Sequence, residues 1–293
     1  MGYKLLLILE KILMAMPKSF RRAFFSSLAT LAYYIVPKYR KIAKQNLYFL
    51  FEEKLSEDEI DTIVRYSFKN LLFNFLHIME LRHMSLKELE SKITVQNKEI
   101  VDAIHKEGRA VIYVTTHYSS WELGGASLGA FVEPLAAVYK KMKNRVYEEW
   151  LLEGRARFGN TNLEKTGVVK PLIKLIKEQK ASGILIDTNI NPKEGVMVNF
   201  MGKQIRQTYS PAYLARKFNA AIVPVTMRTD DDEHYTLMIF DEIKVEKTVD
   251  EENDILKATQ LQADWLSQLI KKEPKFWFWL HRRFKNDYPE IYN

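Results

Sequence analysis

The chain contains no cysteine. Disulfides, thiolate nucleophiles, zinc–thiolate sites and iron–sulfur clusters are therefore excluded. Glycine (11) and proline (9) are sparse among 293 residues, while hydrophobic residues reach 47%. That balance argues against disorder and allows a large core. No Gly-x-Gly-x-x-Gly fingerprint occurs, which disfavours a dinucleotide-dependent oxidoreductase. No His-Glu-x-x-His metal motif and no Gly-x-Ser-x-Gly elbow is found either. Long apolar runs are also missing. The uncharged run Ala23–Val36 has 14 residues, short of the ~20 that a spanning helix needs. The shorter run Leu5–Leu9 lacks the long apolar core and small-residue cleavage site of a signal peptide.

What is present is unevenly placed. The net charge is +7, yet residues 1–50 carry nine basic residues against the single acid Glu10. The remainder is close to neutral. Basic residues flank each apolar block, and Tyr33 and Tyr34 lie near one block's end. This pattern suits a helix lying on, or dipping into, an anionic membrane surface. A buried helix pair packing on its own domain is the plainer alternative. Nucleic-acid binding is not expected, since the basic excess sits in the greasiest part of the chain.

Residues 1–51 read as two or three apolar helices. A long helix follows Ser56 and Glu59, which have capping-box spacing. Asn97 is the expected N-cap of the next helix and Gly108 its stop. Strands then alternate with helices: "AVIYVTT", "PLAAVYK", "SGILID" and "AAIVPVTMR" are separated by helical stretches. Such spacing implies parallel crossovers and a buried sheet. "HYTLMIFDEIKV" alternates instead and reads as one or two antiparallel strands near the sheet edge. The expected fold is α/β, a mostly parallel central sheet flanked by helices, after an apolar helical N-terminal segment. The division is drawn at 1–95 and 96–293.

The stretch "RAVIYVTTHYSSWELGG" delivers His117 just past the carboxyl end of an apolar strand, where open α/β sheets build their sites. A neutral imidazole can take a proton from a hydroxyl, and a carboxylate on its other nitrogen fixes the tautomer. Glu122, five positions on, is the expected partner. Gly124 and Gly125 close the stretch and would let a bound group approach the backbone. Asp187 ends "GILID" and either positions substrate or an arginine, or caps the next turn. Lys140 and Lys141 begin "KKMKNR", a docking face for an acidic partner or a solvated surface. Arg282 and Arg283 follow an aromatic stretch, an arrangement suited to phosphate or to simple C-terminal docking. His281 reads as a packing or hydrogen-bonding residue, and His77 as ordinary.

"HYSSWE" matches the His-x4-Asp/Glu motif, and the chain resembles the late acyltransferases of lipid A biosynthesis. The blocks "THYSSWELGG", "VYKKMKN", "GRARFGN", "GILIDTN", "VNFMGKQIRQTYSPAYLARKFNAAIVPVTMR" and "FWFWLHRRFKN" occur in the family's order. Asn189 departs from the Gln or His more usual there. The resemblance implies a glycerolipid acyltransferase-like fold without metal or tightly held cofactor. It implies transfer of a fatty acyl chain from an acyl carrier protein thioester to a hydroxyl of a Kdo-bearing lipid A precursor. His117 would be the base and Glu122 its orienter. By family position Arg155, with Arg157 as the alternative, would stabilise the oxyanion. The site would face the cytoplasm at the inner membrane of a Gram-negative-type bacterium, held by a surface or dipping anchor and not by a full transmembrane helix. Three other readings stay open: an acyltransferase for another glycolipid or a lysophospholipid, a hydrolase, and a non-catalytic membrane- or RNA-binding protein.

Overall fold

The computed structural model describes residues 2–52 and 54–293. Three helices open the chain: α1 Gly2–Ala15, α2 Lys18–Ile35 and α3 Pro37–Phe51. Pro37 is the first residue of α3, where its missing N–H costs nothing. Helix α4 (Glu57–His83) starts in the expected capping box: Ser56 accepts from the Glu59 amide, and the Glu59 side chain accepts from the Ser56 amide. Such a cap is worth about 1 kcal/mol.

There follow α5 (Leu86–Glu90), β1 (Ile93–Gln96), α6 (Lys98–Lys106), β2 (Val111–Thr115), α7 (Trp121–Phe131), β3 (Leu135–Tyr139) and α8 (Arg145–Arg155). Next come β4 (Thr161–Glu164), α9 (Val169–Lys177), β5 (Ala181–Leu185), β6 (Gly195–Phe200) and β7 (Lys203–Thr208). The chain continues through α10 (Ser210–Phe218), β8 (Ala221–Arg228), β9 (Tyr235–Ile239) and α11 (Glu251–Lys272).

Seven strands form one sheet in the order β1-β9-β8-β2-β5-β3-β4. All neighbouring pairs are parallel except β8 and β9. The α/β fold with a mostly parallel sheet is thus the observed one. β9 and the edge strand β1 beside it run opposite to the other five. Strand β2 lies at the centre, and Val111, Ile112, Tyr113 and Val114 are each at most 1% exposed. Covering both faces of a parallel strand requires such an unbroken apolar run. Each Val or Ile buried there contributes about 1.5–3 kcal/mol. Helices α4, α7 and α8 pack with one face of the sheet, and α9, α10 and α11 with the other.

Some elements differ from the sequence reading. Asn97 does not cap α6 with its side chain. It adopts the left-handed region (φ 62) and donates to Ile239 O at 2.9 Å, tying the helix to β9. Gly108, at φ +69, does end that helix. Strands β1 and β4 and the β6–β7 hairpin were not expected. The hairpin turns on Met201 and Gly202, both at positive φ, which suits a two-residue loop between twisted strands. The segment after α11 folds back into the body, where Trp277, Trp279 and Phe284 are fully buried.

Among the described residues no helix is long and apolar enough to cross a membrane. The N-terminal helices nonetheless show greasy outer faces. Leu5, Ile8, Leu9 and Ile12 are all more than half exposed, while Glu10 on the same helix is 2% exposed. Glu10 accepts from Arg82 and Trp150 and contacts His83, so the helix is fastened to α4 and α8 by its one acid. On α2, Phe20, Phe24, Leu31 and Ile35 repeat the pattern.

Candidate active site

Parallel pairing builds the site. Thr115 of β2 stands beside Leu185 of β5 in register. The residues two beyond each strand end, His117 and Asp187, are thereby side by side at the sheet's carboxyl edge. His117 Nδ1 lies 2.9 Å from Asp187 Oδ1, and the His117 amide donates to Asp187 Oδ2 at 2.8 Å. Asp187 is fully buried and accepts two further bonds on Oδ2, from Thr116 Oγ1 (2.6 Å) and Trp277 Nε1 (3.0 Å).

Burial opposes the charge on Asp187, but His117 and these donors outweigh it and hold the carboxyl below its usual range. Burial likewise opposes charging His117. The Asp187 carboxylate overcomes this, aided by Glu122, and the imidazole pKa is raised above 6.5. The neutral ring is therefore protonated on Nδ1, toward Asp187, and has its lone pair on Nε2. That nitrogen has no hydrogen-bond partner among the described residues. The ring is flanked by Trp121 and Phe278 at centroid distances of 5.2 and 5.9 Å.

Glu122 is placed differently from the sequence expectation. It makes no hydrogen bond to His117, and Asp187 occupies the orienting position. The physical reason is local: α7 begins at Trp121, so Glu122 is already in its first turn. There it accepts from Arg155 in a two-point pair, Nε at 2.9 Å and Nη2 at 2.7 Å, and from Trp121 Nε1 at 3.0 Å. Burial would lower the Arg155 pKa, but Glu122 raises it, so the guanidinium stays charged. Arg155 Nη1 has no partner among the described residues.

The other expected residues divide. Gly124 and Gly125 lie inside α7, and the Gly124 amide is committed to Ser120 O at 3.0 Å. It is therefore not free to bind an oxyanion. A side chain at Gly124 would press on Met227 (3.0 Å), whereas the side-chain direction at Gly125 is open. Arg157 is exposed, over the Phe158 ring at 5.9 Å, and does not line the site's cavity. Lys140 is exposed and Lys141 pairs with Glu164 at 3.5 Å, both on the β3–α8 loop. Arg283 is 1% exposed and donates to Arg206 O, so it is core and not a surface phosphate ligand. Burial lowers its pKa to about 10. Arg282 lies over Tyr292 at 5.5 Å. His281 Nε2 is 3.0 Å from Asp187 O, and its ring stacks on Phe278.

Sequence reasoning missed Thr116 and Trp277 as holders of Asp187. The signal for the His117–Asp187 pair was available: each follows an apolar strand, two residues past its end. Joining them needed the sheet order.

A mostly apolar cavity is lined by Glu122, Arg155 and residues of α7 and the sheet, among them Thr115, Gly125, Leu135 and Gly183. Glu122 and Arg155 line this cavity, and both act on the charge of His117, which is not itself among the lining residues. No group of three or more metal-ligating side chains occurs among the described residues.

The pattern of the bacterial lipid A biosynthesis acyltransferase family matches residues 2–286. The chain belongs to that family. It is an acyltransferase. It is 25% identical over 264 residues to the lipid A biosynthesis lauroyltransferase of Escherichia coli, covering 88% of this chain and 83% of that one. It is 25% identical over 250 residues to the palmitoleoyltransferase of the same organism, covering 83% and 78%. It is also 22% identical over 234 residues to the phosphatidylinositol mannoside acyltransferase of Mycolicibacterium smegmatis, covering 78% and 75%.

Proposed function

We propose that this acyltransferase moves a fatty acyl chain from an acyl carrier protein thioester to a hydroxyl of a Kdo-bearing lipid A precursor, at the cytoplasmic face of an inner membrane. The observation that carries the reading is His117, held by Asp187 and close enough to feel the charges of Glu122 and Arg155, which themselves line an apolar cavity. His117 Nε2 takes the acceptor's hydroxyl proton as the oxygen attacks the thioester carbonyl. The tetrahedral oxyanion is met by Arg155, whose Nη1 has no hydrogen-bond partner among the described residues. Collapse breaks the C–S bond, and the proton on Nε2 passes to the departing sulfur. No acyl-enzyme forms. Glu122 fixes the arginine, and Asp187 replaces it as the orienter of His117. Lys140, Lys141, Lys143 and Arg145 offer a basic face to an acidic carrier protein.

The test is an assay in vesicles with acyl carrier protein thioesters and a panel of acceptors: lipid A precursors, other glycolipids and lysophospholipids. Mass spectrometry of the product should show one added acyl chain on the lipid A precursor. Acylation of a different glycolipid alone, as the mannoside acyltransferase relative makes conceivable, would replace the acceptor and keep the chemistry.

Two expected outcomes follow from this reading. Gly125 faces open space in the cavity wall, so Gly125→Leu should leave the fold intact and add helix propensity of about 1 kcal/mol. The isobutyl group would occupy room for at least two methylenes, each worth about 0.8 kcal/mol. With a mixed pool of thioesters, product chains should shorten, and the longest donor should lose roughly tenfold in kcat/KM. Unchanged chain lengths would place the acyl chain elsewhere.

The second concerns the membrane. Replacing Leu5, Ile8, Leu9 and Ile12 by serine removes an outward stripe of side chains that are each more than half exposed. At about 1 kcal/mol for each half-inserted side chain, affinity for anionic vesicles should fall roughly a thousandfold. Thermal unfolding should stay nearly constant, because Glu10 still anchors the helix. Undiminished sedimentation with vesicles would move the contact off α1.

A further inference from the structure

Two buried polar side chains on α4 reach into the segment that carries the site, and the mechanism above uses neither. Ser119 sits at φ 50, a left-handed conformation that a non-glycine residue adopts only when held. Ser120 is the N-cap of α7, where a serine hydroxyl ordinarily accepts from the second or third amide of the helix. Here it makes no such bond. Its hydroxyl lies 2.6 Å from His77 Nδ1 instead.

The missing cap is supplied from another helix. Asn74 Oδ1 accepts from the Glu122 amide at 3.2 Å, and Asn74 Nδ2 donates to Ser119 O at 3.0 Å. The capped amide therefore belongs to the residue whose carboxylate grips Arg155.

The His77 ring has a defined tautomer. Tyr235 donates its hydroxyl to Asp232 O at 2.9 Å, so toward His77 Nε2, 3.4 Å away, it presents a lone pair. His77 thus carries its proton on Nε2 and accepts the Ser120 proton on Nδ1. Burial, reinforced by Lys92 and Arg22, lowers the His77 pKa to about 3 and keeps it neutral. With Ser120 1% exposed and its proton committed, this pair is not a second nucleophile.

Resting on the proposed roles of Glu122 and Arg155, we propose that Asn74 and His77 are positioning residues, which hold residues 119–122 so that the Glu122–Arg155 pair meets the reacting carbonyl. A filler of the core would affect stability alone. A positioning residue acts through the pair, and a displacement near 1 Å there can cost about a hundredfold in rate.

The test is a kinetic cycle on the full chain in vesicles, read as the rate of acyl-thioester loss. That readout reports the cycle whatever the acceptor proves to be, while product identity tests the proposed function separately. Asn74→Leu should lower kcat about ten- to a hundredfold with KM little changed. In an Arg155→Met background the same change should cost less than about twofold, because the group it positions is gone. His77→Asn, which keeps an acceptor near the Nδ1 position, should retain most of the rate, and His77→Leu should not. Equal cost in both backgrounds, or loss of thermal stability with kcat unchanged, would overturn the proposal. If Asn74→Leu does not fold, the two His77 variants and their cycle with Arg155→Met decide it by the same criteria.

Discussion

His117→Ala is expected to lower kcat by about a thousandfold or more, near the upper end of what a positioned general base contributes. In the proposed reaction the acceptor is a hydroxyl, a poor nucleophile until its proton is drawn off, and Nε2 of His117 has no hydrogen-bond partner among the described residues. The loss should appear mainly in kcat, since the proposed acyl slot and the proposed docking face are untouched. The protein should still fold. Asp187 would keep the His117-position amide, Thr116 and Trp277 as donors, so its buried charge is not abandoned. Steady-state rates on refolded, monodisperse protein check this. A variant retaining a tenth of the wild-type rate would rule out His117 as the base.

Arg155→Met is expected to cost about a hundred- to a thousandfold in kcat, the scale seen when one donor to a developing oxyanion is removed. It should also destabilise the protein by roughly 3–5 kcal/mol, because it leaves Glu122, itself 9% exposed, without its counter-charge. The double variant Glu122→Gln with Arg155→Met separates the two effects. It removes the orphaned charge, so thermal stability should largely return, while kcat should not. If the double variant recovers rate along with stability, Arg155 serves the fold and not the carbonyl.

Much of the fold could be read in advance because the relevant signals are local. Apolar runs such as Val111–Val114 declare a strand buried on both faces, and the helical stretches between them imply parallel crossovers. Ser56 and Glu59 announced the start of α4. Strands β1 and β4 have only four residues each, too few for an alternating pattern to stand out, so their pairing in the sheet is what reveals them. The site shows the same division. His117 stood out by its strand-end position. Its true partner did not, because the bond to Asp187 is made across the β2–β5 neighbourhood, 70 residues apart in sequence. Glu122 was nearer in sequence but had already entered α7. His77 looked ordinary on a long helix, and nothing in the local sequence marked Asn74. In the structure both are buried, as are Ser67, Asn70 and Glu80 of the same helix.

The pH dependence of kcat/KM measures directly which carboxylate governs His117. The base works only when neutral, so the rate should rise with pH through the His117 pKa. In the wild type that midpoint should lie above the ordinary imidazole value of 6.5, because Asp187 outweighs burial. In Asp187→Asn the stabilising charge is gone, so the midpoint should move to lower pH and the plateau should fall. Glu122→Gln should move it in the same direction but by less, since Glu122 acts on the ring only through space. A midpoint that stays put in Asp187→Asn, or that moves further in Glu122→Gln, would contradict the assignment of Asp187 as the residue that holds the base.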